Sequence, residues 1–340
     1  MQLALTLLAK NEADVIDANI AYHLGAGVDF VVATDNGSTD GTLEILERYE
    51  QEGVLHLIRE PSTDFRQGEW VTRMARLAAK RGAGWVINAD ADEFWWPRAA
   101  GLKEVLERLP ERYGVVHGVW RPFVARPDDG SHFAERMTVR LSMQAAINHP
   151  TNPFRPARKA THRAHPEVRV RDGNHDVEGA PLVTLHGWYP LEVFHLPLRS
   201  PAQVETKYAG GARRGLRFLP DEDRLDAADP LVVDDAELRR GLAENLLVED
   251  TRLRDALRTL AGAAPLPERA DFRRETLTFP RPSVVDDALF AIEAAVVAQA
   301  DDVRLRRQVD GLERRVETLE SQVGPRVRRL VGRVLRRRAS

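Results

Sequence analysis

Apolar and polar positions alternate in blocks along the first part of the chain, and the blocks read as strands and helices in turn. Leu3–Ala9 (LALTLLA) is an apolar run of strand length. Residues Glu12–Gly27 repeat apolar side chains at helical spacing and close on Gly25 and Gly27, a helix-stop signal. Val28–Thr34 is a second strand and Ser38–Gly53 a second helix, with Ser38 or Thr39 placed to cap it. Val54–Ile58, Gln67–Gly84 and Trp85–Ala89 continue as strand, helix and strand. Short strands alternating with helices indicate βαβ units and a mostly parallel sheet.

Such sheets bind ligands beyond the C-terminal ends of their strands. Polar clusters stand at those ends: Lys10–Glu12, Asp35–Thr42, Glu60–Gly68 and Asp90–Glu93. Asn, Asp, Gly and Ser are also ordinary loop formers, but four such clusters share one sheet edge. The fourth, Asp-Ala-Asp-Glu, ends a buried strand and is followed by Trp95 and Trp96. In an extended segment Asp90 and Asp92 point the same way and converge on one cation. Hard oxygen donors suit Mg²⁺ or Mn²⁺, which bridge to phosphates.

Beyond residue 110 the pattern changes. Gly114–Trp120, Glu167–Val170 and Leu182–Trp188 read as short strands, and six of the ten histidines lie between His149 and His195. Ala236–Gly262 is helical in pattern, Ala263–Ser283 reads as a linker or draped loop, and Val284–Ala300 as a helix. From Leu305 a heptad appears (Leu305, Val309, Leu312, Val316, Leu319, Val323), the spacing of a short parallel coiled coil or of a helix packed on its own domain. After Pro325 come seven arginines and no acidic residue, with Val327, Leu330, Val331, Val334 and Leu335 on one helical face. That is a basic amphipathic segment suited to an anionic membrane surface; nucleic-acid binding and a solvated tail are the alternatives.

Composition narrows the chemistry. The 340 residues carry a net charge of -3 and no cysteine, so disulfides and thiolate metal sites are excluded and no nucleic-acid partner is expected. Met1–Glu12 lacks the basic n-region of a signal peptide. No stretch reaches the roughly 20 apolar residues that span a bilayer. The expectation is a cytoplasmic protein, peripheral at the inner membrane face.

The segments Leu7–Thr42 and Gly84–Phe94 resemble the GT-A fold of nucleotide-sugar glycosyltransferases, in particular the family-two-like group with bacterial cell-surface polysaccharide enzymes. The carriers are an Asn-Glu segment, an Asp-x-x-Ser-x-Asp-Gly-Thr loop and an Asp-x-Asp motif, in that order. A weaker likeness at Gly68–Ala78 carries over only Arg73.

The resemblance implies an α/β catalytic domain over residues 1–215, with a nucleotide-binding half (1–97) and an acceptor half (98–215). A helical extension (216–300) and a coiled coil with basic tail (301–340) follow. It places Asn11, Glu12, Asp35, Arg73 and Asp90 around a nucleotide-sugar donor. Asp90, Asp92 and His195 would hold Mn²⁺ or Mg²⁺ against the diphosphate. The implied partner is a glycan or lipid-linked acceptor; the arginine-rich tail adds an anionic membrane surface and the heptad a second copy of the chain. For the base that deprotonates the acceptor, Asp176, His175 and Glu93 are the candidates. The family's usual downstream Glu-Asp pair has no clear counterpart. Arg199 and Lys207 are candidates for a phosphate contact. Trp95, Trp96 and Trp188 are either sugar-stacking residues or core. A Mg²⁺ phosphohydrolase and a non-enzymatic coiled-coil membrane scaffold stand as alternatives.

Overall fold

The computed structural model describes residues 1–62, 66–142, 158–199, 203, 233–295 and 314. Four strands, β1 (Leu3–Ala9), β2 (Phe30–Asp35), β3 (Leu55–Arg59) and β4 (Trp85–Asp90), alternate with α1 (Ile16–Gly25), α2 (Thr42–Gln51) and α3 (Gln67–Lys80), as the periodicity predicts. β1 lies between β2 and β4, parallel to both, and β3 is parallel to β2. All seven β1 side chains are buried, because helices cover both faces of a parallel sheet.

Beyond β4 the sheet becomes mixed. The further strands are β5 (Glu93–Pro97), β6 (Tyr113–Pro122), β7 (Val139–Leu141), β8 (Arg158–Arg163), β9 (Arg169–Val170), β10 (Val177–Glu178), β11 (Val183–Thr184), β12 (Leu191–His195) and β13 (Leu247–Glu249). The main sheet has the order β3-β2-β1-β4-β8-β6-β12-β5, with β11 beside β6. β8 is antiparallel to β4 and β6, and β12 is parallel to β6 but antiparallel to β5. The chain therefore turns back at Ala91–Asp92 and returns on the far edge of the same sheet.

Two expectations change. α2 begins after Gly41 in a left-handed conformation, with no side-chain cap. The Ser38 hydroxyl and Thr39 N–H bind Asn11 instead, at 3.0 and 2.8 Å. The helical run beyond residue 235 divides into α6 (Asp235–Ala243), β13 and α7 (Arg252–Ala261); β13 pairs with β7. The short helices α4 (Leu102–Glu107) and α5 (Phe133–Arg136) complete the elements that carry labels.

The expected boundary at residue 215 lies outside the described residues; the described residues on either side of it belong to one compact unit, Met1–Val297. Leu253, Leu257 and Leu260 of α7 are buried in the same core as α1 and β1. Residues 262–283 run without regular structure over that core and bury Leu266, Leu277 and Phe279. Leu277 N–H donates to the Gly25 carbonyl at 2.8 Å, and a Cβ at Gly25 would lie 2.8 Å from the Glu275 carbonyl oxygen. The draped segment thus needs glycine at the end of α1.

Residues 284–295 are helical. Val284, Val285, Leu289 and Ile292 are exposed, whereas Phe290 and Ala294 are buried. The heptad from Leu305 and the arginine-rich tail lie outside the described residues, as does Lys207.

Candidate active site

The loops after β1 and β2 are stitched together by side chains. Asn11 takes a positive φ of 55° and accepts from Thr39 N–H. Asp40 accepts from Ala13 N–H at 3.0 Å and from the Thr42 hydroxyl at 2.6 Å. The Thr42 hydroxyl in turn accepts from Glu12 N–H at 2.8 Å. Asp35, the last residue of β2, accepts from the N–H groups of Gly37 and Ser38 through Oδ2. Its other oxygen is buried and finds no donor among the described residues. A buried, unmatched carboxylate oxygen at a strand end is a place for a ligand hydroxyl or N–H to donate.

Asp90 and Asp92 do not converge. Asp90 ends β4, and Asp92 lies in the tight turn before β5, so the segment is not extended where the second carboxylate leaves it. Asp90 Oδ1 accepts from Gln67 Nε2 at 2.9 Å and Asn174 Nδ2 at 3.1 Å. Its Oδ2 meets Lys159 Nζ at 3.1 Å. Asp92, only 5% exposed, has different partners. It lies 3.6 Å from His195 Nε2 and 3.8 Å from an Arg199 guanidinium nitrogen. The backbone fixes this pairing: His195 registers with Glu93 across β12 and β5, and Leu196 N–H donates to the Asp92 carbonyl at 3.0 Å. Asn88, the remaining polar residue of the strand, accepts from the Thr6 hydroxyl at 2.8 Å inside the sheet.

Glu93 is fully buried and paired with Lys159 at 2.6 Å. Burial pushes its carboxyl up to about 8; Lys159 opposes that rise and the Asp90 and Asp92 charges add to it. Burial pulls Lys159 down, but Asp90 and Glu93 outweigh it and hold the ammonium above the ordinary lysine value. Glu93 also accepts from the Trp120 indole at 3.2 Å. It is therefore walled off from an acceptor in this conformation.

Other expected residues fall into different settings. Glu12 is clamped by Arg199 and Gln203 rather than open to a nucleotide. Arg199 is itself fully buried: it binds Glu12, Asp14 and the Leu196 carbonyl, so it is no free phosphate contact. Arg73 is half exposed and pairs with Glu60 at 2.9 Å. His175 binds the Arg158 carbonyl through Nδ1 at 2.9 Å. Asp176 is partly exposed, 3.7 Å from His117 Nε2. Burial pushes Asp176 up, but His117, the Val177 N–H and Arg158 outweigh it and leave the carboxyl below its usual range. Trp95 and Trp96 are core, and Trp188 is exposed.

A cleft of about 1000 Å³ opens beside this edge. It touches the edge at Asn11, Arg199 and Gln203 and is walled by Arg48, Arg136 and Phe272. Asp35, Asp90 and Asp92 do not line it, so the cleft flanks the carboxylate turn and does not contain it.

Residues 7–166 match the family model described as Glycosyl transferase family 2. That match covers 160 of the 340 residues. No curated protein matches the chain. Among solved structures it is similar to S. aureus TarS 1-349 in complex with UDP-GlcNAc, at 17% identity and TM-score 0.26, over 38% of this chain and 36% of that one. It is also similar to TarS 1-349 at 12% identity and TM-score 0.35, over 82% and 99%. A third likeness is to glucosyl-3-phosphoglycerate synthase from Mycobacterium tuberculosis with Mn²⁺, UDP and glucosyl-3-phosphoglycerate, at 17% identity and TM-score 0.25, over 35% and 44%. The chain spans 36%, 28% and 44% of the first three solved chains it matches.

Among the described residues, no group of three or more His, Asp or Glu side chains is arranged to hold a metal. The pair Asp92 and His195 nevertheless fits an ion that takes one or two protein ligands and completes its shell with phosphates and water. Lys159 and Asn174 were not legible as site residues, and Gln67 only as a member of the Glu60–Gly68 cluster. The only signal for Lys159 is that lysine is scarce in this arginine-rich chain.

Proposed function

We propose that this protein is a metal-dependent glycosyltransferase that moves a sugar from a nucleotide-sugar donor to a glycan or lipid-linked acceptor in cell-envelope assembly. The observation that carries the metal half is the buried Asp92 carboxylate facing His195 at the end of the parallel strands. Mn²⁺ or Mg²⁺ held there would neutralise charge on the departing diphosphate. Asn11 and Asp35 would receive the nucleoside, with the unmatched Asp35 oxygen accepting from base or ribose. Asp90 forms the neighbouring wall. For the base we favour Asp176, whose carboxylate is partly exposed and lies 3.7 Å from His117. Glu93 is buried, and the His175 ring is held against a carbonyl.

A phosphohydrolase using Asp90 as nucleophile loses support, because Gln67, Asn174 and Lys159 occupy its oxygens. Among the described residues no helix is long and apolar enough to cross a membrane. Attachment at the inner membrane face and dimerisation rest on the basic tail, the heptad and the exposed apolar residues of 284–295 that precede them. A thermal-shift panel of nucleoside diphosphates with and without Mn²⁺ tests the reading, since a ligand bound only by the native state raises its midpoint. A metal-dependent rise with one base supports it; no rise with any base contradicts it.

A further inference from the structure

The Asp-Ala-Asp-Glu turn gathers three carboxylates in four positions, and buried like charges require counter-charge. Arg199 answers Asp92. Lys159 answers the other two: its ammonium lies 2.6 Å from Glu93 Oε1 and 3.1 Å from Asp90 Oδ2, and the residue is 3% exposed. The rest of the Asp90 carboxylate is taken by Gln67 of α3 and by Asn174 beyond β9. Asp90 N–H donates to Glu93 Oε2 at 3.2 Å, closing the turn on itself.

We propose that Lys159 is a resident cation of the carboxylate turn, a positioning residue that occupies the place of a metal between Asp90 and Glu93 and leaves a divalent ion only Asp92 and His195. The part of this that concerns Asp92 and His195 rests on the metal reading above; the part that concerns Lys159 does not. The choice of lysine in a chain with 44 arginines and five lysines has a geometric reason. A compact ammonium with three rotatable donors can sit between two carboxylates, whereas a planar guanidinium matches one of them as a fork. β8 places Lys159 there by pairing antiparallel to β4, the strand that delivers Asp90. Without that ammonium, Asp90 Oδ2 and Glu93 Oε1 would face one point as hard oxygen donors, the chemistry that collects Mn²⁺.

The test is a Mn²⁺ titration of the full chain, read by the thermal unfolding midpoint, in wild type, K159R, K159M, K159M/E93Q and D90N. K159M should gain a Mn²⁺ response that half-saturates at least fivefold below wild type, or that appears where wild type shows none. K159R keeps a cation but can fork onto only one of the two carboxylates, so its gain should be smaller than that of K159M. Should K159M fail to fold, the charge-balanced K159M/E93Q should still show a twofold or greater gain through Asp90. Where wild type responds, D90N should retain the response. No gain in K159M or in K159M/E93Q, or loss of the response in D90N, overturns the proposal. A gain in K159M with a silent wild type upholds Lys159 and contradicts the Asp92–His195 metal site.

Discussion

Replacing Arg199 by methionine removes the one cation among the described residues that pairs with both the loop after β1 and the carboxylate turn. The side chain is fully buried and binds Asp14 at 2.8 and 3.0 Å, Glu12, and the Leu196 carbonyl at 2.8 Å, with Asp92 at 3.8 Å. Methionine matches its bulk but leaves Glu12 and Asp92, 7% and 5% exposed, without that charge. Asp14 is 41% exposed at its side chain and adds little, because water screens it. Removing one partner of a buried ion pair costs ~3–5 kcal/mol, and that is the expected loss at pH 7. The assay is urea denaturation, with the midpoint shifted and the slope unchanged. The deficit should shrink toward pH 4, where the stranded carboxyls can take protons. Arg199→Lys should recover only part of it. A loss under about 1 kcal/mol, well below the buried-pair range, or one that does not change with pH, would refute the reasoning.

Three further outcomes follow from the core. Burial holds His23 and His162 down at about 4, with small opposing pulls from backbone carbonyls. The unfolded chain, near the ordinary ~6.5, therefore takes up protons first. Stability present above about 6.5 should fall as pH drops toward 4, and His23→Gln with His162→Gln should flatten the fall in urea midpoints; a flat wild-type profile from pH 7 to 5 would count against it. Gly118→Ala places a Cβ 2.8 Å from Val193 Cγ2 and 3.0 Å from Trp95 Cζ3, so overpacking should cost ~1–3 kcal/mol by calorimetry. Glu192→Leu strands Arg121, which is 2% exposed and also binds Glu293, so hydrogen exchange should quicken across residues 284–295; unchanged exchange there contradicts the coupling.

The first four strands and three helices were legible because apolar periodicity and Gly punctuation agree there with the parallel sheet. The strand-end clusters were legible for the same reason: strand ends of a parallel sheet share one edge. What lay beyond reach was direction. Asp90 and Asp92 read as a converging pair only while their segment is taken as extended; the reversal into β5 depends on pairing with β12, about a hundred residues away. Lys159 and Asn174 enter through β8 and the turn beyond β9, contacts that no local pattern encodes. Arg199 read as an exposed phosphate ligand because its three carboxylate partners come from two distant loops. The split of Ala236–Gly262 follows from β7, which supplies β13 with its only partner among the described residues.

The most direct measurement is donor hydrolysis by Asp92→Asn against wild type, in Mn²⁺ with a panel of nucleotide sugars, with unfolding midpoints recorded on the same samples. Wild type should turn over one donor class in a metal-dependent way. Asp92→Asn should lose that turnover by at least two orders of magnitude, the scale of removing a group that stabilises transition-state charge, while remaining folded. Equal turnover in a folded Asp92→Asn protein would contradict the account.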